Sequence, residues 1–300
     1  MTEHLSQKPR LETLNVASPD AFVTALANVI EYSPWIAAAA AKARPFATLA
    51  DLRDGLMAAV AAAPPAQRLA LIRAHPDLAN KTQRAAGLTA DSVAEQDGAG
   101  LDRLSDAEFA AFERSNAAYT AKFGFPFIVC ARRHTKDSIL ETFARRLANT
   151  PAEEEHAALA EITRIATLRL DQLVTATPAL PVHGRLSTHV LDTRNGRPAP
   201  GVAIELIELS ALGEDRLIAR TVTNADGRTD QPLIGGRPLP IGRYELRFAV
   251  GAYFARDATA VSDPPFLDVV PLRFGIAEPE GHLHVPLLVT PWSYATYRGS

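Results

Sequence analysis

Two sets of side chains along the 300-residue chain combine proton-moving groups with groups that hold anions. The first lies in the N-terminal half. His75 stands directly before Pro76, and proline cannot continue a helix, so His75 marks a helix exit. The negative end of the helix dipole there raises a histidine pKa and keeps the ring a proton donor. Ser92, Glu95 and Gln96 follow at helical spacing, so one helix face presents a hydroxyl, a carboxylate and an amide together. The stretch Phe125-Pro126-Phe127-Ile128-Val129 is apolar and stiffened by proline, and its backbone N–H and C=O groups suit the wall of a pocket. The second set lies in the C-terminal half: His189, Arg228 after the turn Asn224-Ala225-Asp226-Gly227, and the pair His282 and His284. On spacing alone each has a plainer reading. A histidine before proline is a helix end, a Ser-x-x-Glu pair is a solvated helix face, Arg228 is a loop residue, and His-x-His is either a metal pair or a polar strand face.

The elements that must position the first set read as helices. Ser18-Pro19, Pro34-Trp35, Thr48 and Pro64-Pro65 are start signals. Ser105 with Glu108, and Thr150 with Glu153, have capping-box spacing. Gly124 closes one helix. The last helix runs to about residue 174, with Leu159, Ile162, Ile165, Ala166 and Leu168 as its apolar stripe. The only strand signal is FPFIVCA, which fits a buried helix start equally well. This half is all-α, with about eight helices.

The second half reads as strands. Val202 to Leu209, Arg243 to Val250, Phe266 to Ile276 and His282 to Thr290 are the candidates, separated by Asn-Gly and Asp-Gly turns. In Arg243 to Val250, Tyr244, Leu246, Phe248 and Val250 take one face and Arg243, Glu245 and Arg247 the other. In HLHVPLLV, His282 and His284 share a face opposite Leu283, Val285, Leu287 and Val289. The pattern is that of an all-β sandwich. Between the halves lies a proline-bearing stretch with one charge, DQLVTATPALPVHG. The expected division is an all-α domain over residues 1–174, a linker over 175–183 and an all-β domain over 184–300.

Composition bounds the rest. An apolar fraction of 47% and a charged fraction of 22% are ordinary for a globular protein. A net charge of -3 argues against broad nucleic-acid binding. No apolar run reaches the length of a membrane span, and the N-terminus lacks a signal-peptide core, so the expected location is the cytoplasm. The single cysteine, Cys130, forms no internal disulfide and reads as a small buried residue.

In combination the motifs are specific. HPDLANK at 75–81, SVAEQ, FGFPFIVCARR and EITRIATLRL, in that order, resemble 2-oxo-4-hydroxy-4-carboxy-5-ureidoimidazoline decarboxylases over residues 18–174. Asn80 stands where that family more often has glycine. The resemblance implies His75 as general acid/base and Glu95 as its carboxylate partner. It implies Pro76, Ser92, Gln96 and Phe125, Pro126, Phe127, Ile128 and Val129 as the substrate cradle. It also implies an arginine on the last helix that holds the substrate, assigned to Arg169 with Arg164 as second choice.

LSTHVLDTRNGRPAPGV, TNADGR, GRYELRF, YFA and HLHVPLLVTPWSYATYRGS resemble the 5-hydroxyisourate hydrolases, transthyretin-like enzymes, over residues 184–300. This resemblance implies His189, Arg228, His284 and Ser300 as catalytic residues, and Tyr297, Arg298 and Gly299 as substrate-binding, with His282 in support. The hormone carrier of the same fold lacks the YRGS tail and the His–Arg–His set. Together the resemblances imply a bifunctional chain of urate breakdown that uses neither cofactor nor metal. Its partners would be urate-derived small molecules and further copies of itself: a dimer through the decarboxylase domain and a tetramer through the hydrolase domain. Two other readings stay open, a non-enzymatic binding or assembly role for the second half and a metal site at His282 and His284.

Overall fold

The computed structural model describes residues 8–79, 90–256 and 262–299. Asn80, Lys81 and Ser300 lie outside the described residues. The chain forms two compact units, one made of residues 1–131 and 139–182, the other of 132–138 and 183–300. Among the described residues no single helix is long and apolar enough to cross a membrane.

Residues 11–173 are helical, as expected, with nine α-helices among the described residues: α1 (Leu11–Val16), α2 (Pro19–Ala25), α3 (Pro34–Ala40), α4 (Leu49–Ala62), α5 (Pro65–Arg73), α6 (Ala90–Gly98), α7 (Asp106–Phe123), α8 (Lys136–Arg146) and α9 (Pro151–Leu173). Their starts follow local chemistry. The Ser18 side chain accepts the Ala21 N–H, and Thr48, Ser105 and Thr150 each form a reciprocal capping box with Asp51, Glu108 and Glu153. These contacts satisfy amide donors that the first helical turn leaves unpaired. Gly124 ends α7 in the left-handed region, at φ 73°.

The packing of α9 sets up the first site. Ile162, Ala166 and Leu168 are buried on it, but so are Glu154, Glu161 and Arg169. A buried charge is costly unless it is paired, and each of these has a partner. Glu154 pairs with Arg146 at 2.6 Å, takes the Asn149 amide at 2.7 Å and accepts the buried Tyr119 hydroxyl. Burial, the first cause, and the Glu154 bond both push the Tyr119 pKa up, so the phenol stays a donor. Glu161 accepts the Cys130 N–H at 2.9 Å.

Both carboxylates thereby act on the FPFIVCA stretch, which is neither strand nor helix. Residues 126–130 run as irregular backbone. No neighbouring strand is needed, because side chains supply the hydrogen bonds: Arg146 Nη1 donates to the Ile128 carbonyl at 2.6 Å, and Glu161 holds the Cys130 amide. The Arg146 guanidinium lies 4.5 Å from the centre of the Phe127 ring, which stacks on Phe143 at 3.7 Å. Cys130 is buried and in no disulfide.

Residues 175–183 form no helix. Thr175 pairs with Arg10, its N–H donating to the Pro9 carbonyl at 2.9 Å, and Leu180 and Val182 join the apolar core of the first unit. Two apolar side chains in a short connection find more stabilisation in that core than in water.

The second unit is built of β-sheet. One sheet has the order β2 (Arg197–Pro198), β1 (Gly184–Asp192), β8 (His282–Val289), β9 (Tyr294–Thr296), with β5 (Ile234–Arg237) also on β1. The other has the order β4 (Arg216–Val222), β3 (Ala203–Glu208), β6 (Gly242–Ala249), β7 (Val269–Ile276). Tyr244, Leu246 and Phe248 are fully buried, as the alternation predicts, as are Leu186, Val190, Leu287 and Val289 on the first sheet. The strand expected from Phe266 begins at Val269 instead. Phe266 is 72% exposed, so its ring packs no core. A short helix, α10 (Val250–Phe254), follows β6. β1 and β8 pair in parallel, with Ser187 opposite His284 and His189 opposite Pro286.

The Arg146–Glu154 pair is buried on both sides. Arg146→Met should therefore strand the Glu154 carboxylate and cost about 3–5 kcal/mol of stability, read as a lower urea midpoint in far-ultraviolet circular dichroism. A loss below about 1 kcal/mol, the worth of a surface pair, would show that the carboxylate is satisfied without the arginine.

Candidate active sites

In the helical unit one cavity gathers His75, Pro76, Ser92, Glu95, Gln96, Phe127, Ile128, Val129 and Arg169. Phe125 and Pro126, expected in the same wall, are not among its lining residues. Phe125 is 5% exposed and packs edge-on against Tyr119 at 5.9 Å. Its ring is taken up by the aromatic cluster of Tyr119 and Phe123 instead.

The α6 face does what its spacing predicts. Gln96 accepts the Ala79 N–H at 3.2 Å and so fixes the loop after His75, where Ala79 adopts a positive φ of 56°. Asn116 donates to the Leu78 carbonyl at 2.8 Å and ties the same loop to α7. Ser92 Oγ donates to the Glu31 carboxylate at 3.1 Å. Glu95 meets Arg169 in a two-pronged pair, Nε to Oε1 at 2.8 Å and Nη2 to Oε2 at 2.9 Å.

Two expectations need correction here. Glu95 is not bonded to His75; its carboxylate is taken by Arg169, whose planar fork matches it. Arg169 does not present a free guanidinium to a substrate either. Its remaining nitrogen, Nη1, pairs with Glu31 at 2.9 Å and reaches the Asn28 carbonyl at 3.3 Å. Of the two candidate arginines, Arg169 lines the cavity, while Arg164 is partly exposed, pairs with Glu161 and is not among the lining residues. Glu31 and Asn28 carried no sequence signal, since a single acidic residue in an apolar helical stretch is unremarkable by type and spacing.

His75 has its Nδ1 2.9 Å from the Leu71 carbonyl. A carbonyl only accepts, so Nδ1 carries the hydrogen and Nε2 is the titrating atom. The helix exit was expected to raise the pKa of His75. Instead it is lowered, first by burial and then by the Arg169 charge, against the raising effects of the Leu71 bond and Glu31. Desolvation outweighs the helix end, and the resting ring is neutral, with Nε2 a proton acceptor.

In the β unit a cleft of about 680 Å³ is bounded by His189, Arg228, His282, His284, Tyr297, Arg298 and Gly299. That volume suits a small heterocycle. Asn224 builds the turn before Arg228: its side-chain oxygen accepts the N–H groups of Asp226 at 3.0 Å and Arg228 at 3.2 Å. Gly227 has φ +71°, and a Cβ there would fall 2.4 Å from the Val190 carbonyl oxygen, so only glycine lets the turn close on β1. Arg228 thereby bridges to His189. The tail is held in the same way: Gly299 N–H donates to the His284 carbonyl at 2.9 Å, and a Cβ on Gly299 would fall 2.8 Å from the His284 ring. Arg298 is mostly exposed and meets Glu278 at 3.4 Å.

His282 and His284 share a face, with ring centres 6.4 Å apart. Ser187, overlooked in the sequence, lies between them, 2.9 Å from His282 Nε2 and 2.9 Å from His284 Nδ1. It stands two residues before His189, which places both on one strand face; the β1–β8 register that brings it to His284 is not written in local sequence. Among the described residues no group of three His, Cys, Asp or Glu is arranged to hold a metal ion. His189 Nε2 is buried and finds no hydrogen-bond partner among the described residues. Burial first, then Arg228, lowers the pKa of His189; burial, Arg228 and the two neighbouring imidazoles lower that of His284.

Fold and sites together define a two-enzyme class of chain, a helical lyase-type unit joined to a transthyretin-like unit with a His–Arg–His cleft. Residues 15–171 match the OHCU decarboxylase family, and residues 186–299 match the HIUase/Transthyretin family. The chain belongs to both families, one in each half. It is 54% identical over 119 residues to the 5-hydroxyisourate hydrolase of Deinococcus radiodurans, covering 39% of this chain and 98% of that protein. It is 39% identical over 164 residues to the 2-oxo-4-hydroxy-4-carboxy-5-ureidoimidazoline decarboxylase of Amia calva, covering 55% of this chain and 94% of that protein. The crystal structure of (S)-allantoin synthase aligns over 97% of this chain and 100% of its own, with 36% identity and a TM-score of 0.51.

The depressed histidines fix a sign. A group whose folded pKa lies below its unfolded value of 6.5 leaves the unfolded chain holding more protons, so stability is present above pH 6.5 and is lost as the pH falls toward the folded pKa. Urea titrations should show the helical unit losing stability on acidification below pH 6.5, and His75→Gln should flatten that slope. An unchanged slope would place the titrating group elsewhere.

Proposed function

We propose that the chain converts 5-hydroxyisourate to (S)-allantoin in two steps, hydrolysis in the β unit and decarboxylation in the helical unit. The observation that carries this reading is the alignment to an allantoin synthase across both units, joined to a separate cluster of titratable residues in each.

In the hydrolysis, His284 and His189 are the imidazoles that take a proton from water and pass one to the leaving ring nitrogen. Arg228 grips the substrate's oxygens in a fork. Tyr297, Arg298, Gly299 and Ser300 close the pocket. Gly299 packs against His284, which favours this arrangement; Ser300 lies outside the described residues.

In the decarboxylation, Ser92, Gln96, Pro76 and the Phe127–Val129 backbone cradle the product of the first step. Loss of CO2 leaves charge spread over the imine-like ring. The neutral Nε2 of His75 takes the substrate's hydroxyl proton and returns it to the neighbouring ring carbon, while the imine nitrogen, which receives the electron pair of the broken bond to CO2, takes a proton from solvent. Delivery from one fixed side sets the configuration at that carbon. Arg169 orients Glu95 and Glu31, and a substrate carboxylate engages it by displacing one of these. The assembly we propose is a dimer through the helical unit and a tetramer through the β unit, working in the cytoplasm on small urate-derived molecules.

Single variants should separate the steps when 5-hydroxyisourate is generated from urate and followed by ultraviolet absorbance. His75→Ala should consume 5-hydroxyisourate at the wild-type rate and accumulate the ureidoimidazoline, its decarboxylation slowed by at least about 100-fold. His284→Ala should slow the first step alone by a similar factor. Either variant acting on the opposite step, or on neither, would overturn the assignment.

A further inference from the structure

Ser187 couples the two histidines of the cleft. Its Oγ is 2.9 Å from both His282 Nε2 and His284 Nδ1. The parallel register of β1 and β8 places Ser187 opposite His284, and the residue is 8% exposed. A hydroxyl carries one hydrogen, so Ser187 donates to one imidazole and accepts from the other. The two tautomers are therefore tied. When Ser187 donates to His282, His284 carries its hydrogen on Nδ1 and its Nε2 is a bare acceptor. When Ser187 donates to His284, that Nε2 carries the hydrogen and becomes a donor. One bridging hydroxyl thus sets whether His284 is a base or an acid.

We propose that Ser187 relays a proton between His284 and His282 and so turns His284 from general base to general acid within one turnover. The relay rests on the hydrolase reading above. In the forward direction His284 Nε2 takes a proton from water as the water oxygen bonds to the substrate carbonyl carbon. The Nδ1 proton passes to Ser187 Oγ while the Ser187 proton passes to His282 Nε2. Ser187 and His284 end neutral, His282 ends as imidazolium, and the negative charge rests on the former carbonyl oxygen. As the ring C–N bond breaks, that oxygen re-forms its carbonyl and His284 Nε2 gives its proton to the leaving nitrogen, while Ser187 Oγ returns its proton to His284 Nδ1 and takes the extra proton from His282 Nε2. No imidazolate forms, and every group regains its first state.

Three features of the surroundings favour this path. His282 borders a second cavity of about 90 Å³ beside Glu278 and Arg298, so the charge it gains is placed next to a carboxylate and toward solvent. Arg228 and His189 face His284 from β1 and the adjoining turn, and with burial they lower its pKa. The neutral starting state is then the populated one. A charge left on His284, close to Arg228, would meet repulsion, and the relay moves it one residue outward.

The test uses the full-length chain. Ser187→Ala should lower kcat for 5-hydroxyisourate hydrolysis by about 100-fold, with KM within about twofold. Ser187→Thr, which keeps the hydroxyl, should recover most of kcat. Ser187→Ala with His282→Gln should be no slower than the slower single variant, since both break one path. Decarboxylation by the helical unit should be untouched in every variant, and a wild-type urea midpoint followed in the β unit reports that this unit is folded. The relay is overturned if Ser187→Ala keeps wild-type kcat, loses only in KM, or combines multiplicatively with His282→Gln. A wild-type chain that fails to hydrolyse 5-hydroxyisourate would instead overturn the functional reading itself.

Discussion

Arg169 is the charge on which the helical site depends. Two carboxylates, Glu95 and Glu31, converge on its guanidinium in a part of the unit where both acids and the arginine are largely shielded from water. An unpaired carboxylate in such a place would take up a proton or draw in solvent. With Arg169 present, Glu95 is held at a fixed angle, Ser92 has an oriented acceptor, and α6 is held against α9. The same positive charge helps to keep His75 neutral. One cation therefore orients the groups around it, while burial, the larger cause, sets the neutral state of His75 that the proposed chemistry uses.

The β unit reaches a comparable end by different means. Among the described residues no buried ion pair organises its cleft. Backbone geometry does: a glycine of positive φ lets the Arg228 turn close on β1, Gly299 lets the tail lie against the His284 ring, and a parallel β1–β8 register brings Ser187 level with His284. Close backbone approach, in place of ion pairing, sets the imidazoles and Arg228 around the cleft, with Ser187 bridging His282 and His284. His189 Nε2 has no partner among the described residues, whereas Arg169 in the other unit is fully engaged.

Most helix starts were legible because capping is local chemistry: Thr48, Ser105 and Thr150 need only the next three residues. The strand faces of Tyr244 to Phe248 and His282 to His284 were legible because alternation is local too. What escaped depends on contacts distant in sequence. The irregular run before Cys130 takes its hydrogen bonds from Arg146 and Glu161, which no pattern within the run announces. Glu31 and Ser187 join their sites only through packing and register. The pKa of His75 was read with the wrong sign because the helix end is visible in sequence and burial is not. Residues 175–183 were read as a linker from their prolines, while Leu180 and Val182 bury themselves in the helical unit's core.

Carrying both units on one chain supplies them at fixed stoichiometry and raised local concentration. The central claim is that a neutral, one-sided proton carrier in the helical unit receives what the β unit releases. The most direct measurement is the circular dichroism of the allantoin formed when the purified chain is given 5-hydroxyisourate. The account predicts a signal of one sign, that of (S)-allantoin, growing to full yield; racemic allantoin at the same yield would contradict it.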